Sequence, residues 1–155
     1  MTFRLQRILL PTDFSDYSNA AKSYACELAE KFGAELHLLH TLEHYYSLTP
    51  EFGLGFAVPT QISESKVAAE KALSRLLDSS WTASGKVIHR VIEGSPKVEI
   101  VRYARAENID LIVISTHGRT GLSHILIGSV AETVVRTSAC PVLTVRPKGH
   151  QFAMP

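Results

Sequence analysis

Much of what would mark a specialised chain is scarce in this sequence. Only two cysteines, Cys26 and Cys140, occur in 155 residues. They are too few and too far apart for a disulfide framework, so the core must hold the fold, and such usage fits a reducing cytosol. Charge of one sign is not in excess: 16 Lys and Arg face 15 Asp and Glu, a formal net charge of +1. A nucleic-acid role therefore has no compositional support. No apolar run approaches the roughly 18–20 residues that span a bilayer. The N-terminal residues lead straight into an apolar run ending at Pro11, without a signal-peptide cleavage signature. Internal repeats and low-complexity segments are absent. What remains is ordinary: 45% hydrophobic and 20% charged residues, which exclude an intrinsically disordered chain. The expectation is one soluble cytoplasmic domain, long enough to bury roughly 68–70% of its unfolded surface.

The order of the apolar segments gives the fold class. Ile8-Leu9-Leu10, closed by Pro11-Thr12-Asp13, reads as a buried strand. Ala21, Tyr24, Ala25, Leu28, Ala29 and Phe32 recur at three- and four-residue spacing, one face of a helix, with Gly33 placed to end it. Leu36 to Leu42 is a second strand. Ala69, Leu73, Leu76 and Leu77 mark one face of a helix from about Ser63 to Ser80, and Val87 to Ile92 is a third strand. Gly94-Ser95-Pro96 starts a helix, with Ser95 able to cap it and Pro96 suited to its first turn; Ile100, Val101 and Ala104 face inward. Leu111 to Ile114 is apolar without alternation, as in a parallel-sheet strand buried on both faces. A helix from about Ser129 to Ser138 and a strand from Pro141 to Val145 complete the pattern. Strand–helix alternation of this kind gives an α/β, doubly wound domain with a parallel five-stranded sheet. The domain is expected over residues 1–147, with a frayed tail over 148–155.

One connection stands out. His44 to Pro59 carries Tyr45, Tyr46, Phe52 and Phe56, four of the chain's twelve aromatics. It reads as a surface loop packing its own side chains, with a lid or a partner contact as the functional alternatives.

In doubly wound sheets ligands bind at the carboxyl ends of the strands, where the strand order reverses. Two segments suit that place. Asp13, after the first strand, can accept hydrogen bonds from ribose hydroxyls, or it can turn the chain into the first helix together with Ser15. Ser115-Thr116-His117-Gly118-Arg119-Thr120-Gly121, running on to Gly128-Ser129-Val130, can aim loop amides and a helix N-terminus at phosphate. It is neither a P-loop nor GxGxxG. The competing reading is a turn and a capping box, Ser129 with Glu132 three residues on.

The other candidates have plainer readings. His37, His40 and His44 fall at helical spacing, but on a strand His37 and His40 point to opposite faces, which disfavours chelation. His117 is a turn residue that can reach phosphate, and His124 is expected on the surface. No nucleophile elbow accompanies the serines near His117, so a catalytic triad is disfavoured. Cys26 reads as a small core hydrophobe, Cys140 as a strand-entry residue with no sign of activation, and Trp81 as a cover for the end of the second helix.

The run from Leu111 to Val145, together with ILLPTDFS at residues 8–15 and LHLLHTLE at residues 36–43, strongly resembles the universal stress protein family, in matching order and spacing from Arg7 to Pro147. The resemblance implies a Rossmann-like, adenine nucleotide alpha hydrolase-like domain with strand order 3-2-1-4-5, the switch point lying between strands one and four. The nucleotide-binding branch carries Gly-x2-Gly-x9-Gly-Ser/Thr. Gly118, Gly128 and Ser129 match it, and Ser115 replaces the first glycine. That replacement costs backbone energy only if φ at residue 115 is positive.

By matching position, the resemblance implies a site for ATP, AMP or ADP, with Mg2+ as a companion ion. Asp13 would contact ribose, with Pro11 and Thr12 lining the pocket. Thr41 would border adenine through its backbone, and Ile114 would pack near the sugar or base. Ser115, Thr116, His117, Gly118 and Arg119 would surround the inner phosphates, while Gly128, Ser129 and Val130 would hold the terminal ones. The same resemblance implies a homodimer through Val142 to Val145. The leading expectation is a stress-response module that reads nucleotide occupancy and passes it to a protein partner. A nucleotide-independent dimeric interaction protein and a slow ATPase are the alternatives.

Overall fold

A computed structural model describes residues 4–43, 59–79, 86–117 and 127–146, with the side chains of the second helix described from residue 63 onward. Expectations placed on Gly118, Arg119, His124, Trp81, the aromatic connection over 44–58 and the tail over 148–155 lie outside the described residues.

Five parallel strands stand in the order β3-β2-β1-β4-β5. They are β1 (Arg7–Pro11), β2 (Glu35–Leu42), β3 (Val87–Glu93), β4 (Leu111–Ser115) and β5 (Val142–Val145). Ile8 pairs with Leu36 on one side and with Leu111 on the other, so β1 is central. The chain leaves β1 toward β2 and returns across it to β4, and the strand order reverses between β1 and β4. The switch point expected from the sequence is therefore present, at the carboxyl ends of these two strands.

The period of two along each strand sorts side chains onto two faces. Ile8, Leu10, Leu36, Leu38 and Val113 form one buried cluster with Ala21, Ala25 and Ala29 of α1 (Asp16–Phe32) and Leu73 of α2 (Pro59–Ser74). Leu9, Leu39, Ile112 and Ile114 form the other, with Ile100, Tyr103 and Ala104 of α3 (Pro96–Ala106) and Ala131 and Val134 of α4 (Ser129–Thr137). β1, β2 and β4 are thus covered on both sides, which explains why β4 shows no alternation, while the edge strand β3 is only partly buried.

Local signals set most helix ends. Ser15 caps α1, its side chain accepting from the Ser18 amide, and Gly33 closes the helix in a left-handed conformation at φ 63°. Ser95 occupies the cap position of α3 but makes no side-chain cap hydrogen bond; Pro96 opens the helix as expected. α2 differs most from its sequence reading. It begins at Pro59 and ends at Ser74, so the apolar residues Leu76 and Leu77 lie in the turns that follow rather than in the helix. Proline is at home in a first helical turn, whereas the apolar stripe registered only the half of the helix that meets the sheet. Leu77 is nevertheless buried.

Candidate functional site

The end of β1 is built by a short network of side chains. Thr12 donates its amide to the Leu39 carbonyl at 2.9 Å, extending the β1–β2 ladder by one bond. Asp13 Oδ1 accepts from the Ser15 amide at 3.0 Å and from the Ser15 hydroxyl at 2.6 Å. This is the local aspartate turn that competes with regular backbone structure and favours helix starts. The Phe14 amide donates to Thr12 Oγ1 at 3.0 Å, and Thr12 Oγ1 lies 3.1 Å from Ser18 Oγ. Between these anchors Phe14 adopts φ 63°, a left-handed conformation that costs a residue with a bulky side chain about 1–2 kcal/mol. Asp13 therefore does turn the chain into α1 with Ser15, as the plainer reading had it. The same turn holds the carboxylate at the carboxyl end of the central strand.

The end of β4 lies beside it. Ser115 pairs with Val145, and the Thr116 amide donates to the Val145 carbonyl at 2.9 Å. Ser115, Thr116 and His117 are all buried. Among the described non-glycine residues only Phe14 and Asn108 have positive φ, so serine in place of the first motif glycine carries no backbone strain. Its hydroxyl instead accepts a long hydrogen bond, 3.4 Å, from the His117 amide. Thr116 Oγ1 and His117 Nδ1 share a hydrogen bond at 2.9 Å, and the Tyr17 ring of α1 stands 6.4 Å from the His117 ring.

Gly128 ties the start of α4 to this strand end. Its amide donates to the Thr116 carbonyl at 2.6 Å. A Cβ at Gly128 would lie 3.0 Å from that same oxygen. Gly128, not Ser129, is the N-cap of α4, and no side chain caps the helix. The capping box expected of Ser129 and Glu132 is therefore not formed: Ser129 already has helical geometry, and Glu132 pairs with Arg136 at 3.2 Å. The first-turn amides of α4 are left to the positive end of the helix dipole, the arrangement that receives anions.

The remaining candidates fall into place around this pole. Pro11 ends β1 and is buried. Thr41 stands near the end of β2, paired with Ile92. Ile114 is buried in the α3–α4 core just beneath Ser115. Ser129 and Val130 form the first turn of α4. His37 and His40 do face opposite sides of the sheet: His37 meets Tyr103 of α3, and His40 packs against Phe14 beside α1. Among the described residues no group of three or more His, Cys, Asp or Glu side chains stands together as metal ligands, and no helix is long and apolar enough to cross a membrane. Sequence reasoning missed Phe14 and gave His40 no part in the site. The Asp-Phe-Ser order after a strand-ending proline was an available turn signal for the first; the second depends on β2 lying next to β1.

Such a pole can hold a polar ligand between an acidic turn and a dipole-bearing helix start. The comparisons identify the lineage. Residues 4–146 match the Universal stress protein family. The chain belongs to that family. Universal stress protein MJ0531 of Methanocaldococcus jannaschii is 36% identical over 143 residues, covering 91% of this chain and 82% of that protein. The solved universal stress protein UspA from Lactobacillus plantarum superposes with a TM-score of 0.77 at 25% identity, covering 94% of this chain and all of that one. A universal stress protein solved in complex with cAMP superposes with a TM-score of 0.63 at 25% identity, covering 92% of this chain and 98% of that one. The universal stress protein fold thus accounts for the strand order.

A separate chain of titratable groups occupies the opposite pole. His37 is almost fully buried, with Nδ1 2.7 Å from the Tyr103 hydroxyl and Nε2 2.8 Å from Glu35 Oε1. Glu35 also pairs with Lys86. The Lys86 hydrogen bond holds the Glu35 carboxyl below its usual range against a smaller opposing effect of burial. Burial holds His37 below the usual imidazole value although Glu35 pulls the other way. The ionised carboxylate favours the imidazole proton on Nε2, which leaves Nδ1 to accept from Tyr103. Burial also raises Tyr103 to about 12. An open groove of about 810 Å³ adjoins this pole, lined by Arg4, Arg7, Glu30, Glu35 and Lys86 among others. It contains none of the residues expected to bind nucleotide.

Proposed function

We propose that this universal stress protein binds an adenine nucleotide across the ends of β1 and β4 and uses occupancy as a signal in the stress response. One observation carries the reading: the Gly128 amide sits on the Thr116 carbonyl, which brings the uncapped start of α4 against the end of the strand next to Asp13. Glycine is the residue that permits this approach, because a Cβ would crowd a backbone carbonyl. The residues fit the chemistry of a nucleotide: a carboxylate for ribose hydroxyls, and helix-start amides with the Ser129 hydroxyl for phosphate. Ser115, with no positive φ, is compatible with that role. The relative solved with cAMP supports the ligand class.

Within this reading Asp13, Pro11 and Thr12 hold the sugar, Thr41 and Ile114 border the base, Ser115 to Arg119 surround the inner phosphates, and Gly128 to Val130 take the outer ones. ATP is the proposed physiological ligand, with Mg2+ accompanying the phosphates and AMP or ADP as the other states. The working unit is a cytoplasmic homodimer joined through β5, an edge strand whose Leu143 is exposed; pairing would cover that open edge. Asp13, the carboxylate that follows β1, is assigned to ribose, so any hydrolysis would be slow.

The test is to denature the purified protein and analyse the released small molecules by chromatography and mass spectrometry. Stoichiometric adenine nucleotide supports the reading. An empty protein that also gives no thermal shift with added Mg-ATP or AMP refutes it.

A further inference from the structure

The turn strained at Phe14 is held from below by a histidine that the nucleotide reading does not use. His40 is 6% exposed and lies on β2, on the face covered by α1. Its Nδ1 is 2.8 Å from the Thr12 carbonyl. A carbonyl can only accept, so the proton sits on Nδ1 and the tautomer is fixed. The same ring lies against Phe14, centroids 4.4 Å apart and planes tilted by 34°. One imidazole thus touches the residue before Asp13 through a hydrogen bond and the residue after it through its ring face. Phe14 is the member of the turn with φ 63°. Strained conformations persist where surroundings over-determine them, and they gather at functional sites.

We infer that His40 is a positioning residue of the nucleotide site: by anchoring the Thr12 carbonyl and seating Phe14, it fixes the peptide planes on both sides of Asp13 and so aims the carboxylate at the ribose. The inference rests on the proposed nucleotide site and deepens it. His40 lies beneath the turn, in contact with Thr12 and Phe14, and the inferred action on ligand runs through Asp13. The Asp13–Ser15 bonds hold the carboxylate to α1; His40 holds the backbone beneath it to β2. Without the second anchor the turn can relax, and the carboxylate loses the fixed geometry that makes hydrogen-bond recognition selective.

The experiment is a double-mutant cycle read by isothermal titration with ATP and its 2′- and 3′-deoxy analogues. His40→Leu, which keeps bulk and removes the donor, is expected to weaken ATP binding about tenfold and to narrow the preference for ATP over the deoxy analogues, since the lost contact serves the ribose. His40→Asn restores a donor near Nδ1 and is expected to recover most of the preference, which a merely structural loss of packing would not produce. In an Asp13→Asn background, His40→Leu is expected to cost little more, because both changes remove one interaction. The inference is overturned if His40→Leu binds all three ligands as wild type does, if the two losses multiply, or if His40→Asn fails to restore the preference. Those outcomes leave the nucleotide site standing. A wild-type protein that binds none of the three overturns the site and this inference together.

Discussion

Replacing Gly128 by alanine tests the approach of α4 to β4 with a single methyl group. Gly128 has φ −64° and ψ 151°, a conformation alanine adopts freely, so the substitution introduces no backbone strain. What it introduces is a Cβ 3.0 Å from the Thr116 carbonyl oxygen. That oxygen belongs to backbone, and its own residue is tied to β5 through the Thr116 amide. It cannot swing away as a side-chain end would, so the start of α4 must move by a few tenths of an ångström. Overpacking of this kind costs about 1–3 kcal/mol. For a chain of this length each kcal/mol lowers Tm by about 2–4 °C, so the apo variant should melt about 2–12 °C below wild type. The amides of Ser129 and Val130 move with the helix, and the affinity for ATP should fall about tenfold or more. Thermal melts with and without saturating Mg-ATP separate the two effects. A variant with wild-type Tm and a wild-type ligand shift would refute the steric argument. A lowered apo Tm with an unchanged ligand-induced gain would refute the assignment of phosphate to the start of α4.

Three further outcomes follow from the geometry. His37 is held neutral by burial, so the unfolded chain takes up its proton first as pH falls. Its contribution is complete above about pH 6.5 and is lost below that value toward the depressed native pKa; urea melts from pH 7.5 to 5 should show this slope, and His37→Gln should reduce it. Tyr103→Phe removes the hydroxyl that serves His37 Nδ1 and should cost about 1–3 kcal/mol in urea unfolding; an unchanged midpoint would show the bond to be dispensable. Burial raises the Cys26 thiol to about 11, so alkylation at pH 8 should be slow in the native protein and fast in urea, mass spectrometry of the labelled peptide deciding.

The strand–helix alternation and both layers of the core were legible in the sequence because they depend on local periodicity, whereas the strand order came only from the family resemblance. The run Leu111 to Ile114 reads as a strand buried on two faces whatever surrounds it, and Gly33 ends a helix by its own backbone freedom. α2 was legible only where it touches the sheet: its early turns, from Pro59, carry no apolar stripe to betray them. At the site, Asp13 and the Gly128–Ser129 helix start were visible as residue types in a spacing. Which residue caps α4 was not, because Ser129 and Gly128 are both good caps and the choice is made by a contact with Thr116 on another strand. His40 was hidden for the same reason. Its partner, the Thr12 carbonyl, is 28 residues away, and nothing in the neighbourhood of His40 along the chain announces it.

The fully buried line of α1, Ala21, Ala25 and Ala29, meets the sheet with methyl groups, while Cys26 and Leu28 pack at its flanks. The tolerance of the helix to substitution is therefore sharply one-sided. Tyr24 and Phe32, read from the sequence as part of the inner face, are exposed instead and can drift in sequence at little cost. A larger residue on the inner line would lift the whole rod and carry with it Ser15, the cap that grips Asp13. Nucleotide binding at the proposed site would then be lost through a substitution several helical turns from Asp13. In a lineage of such proteins, small inner residues on the first helix would be a sign that the pocket is still under selection, and their enlargement an early mark that it has been abandoned.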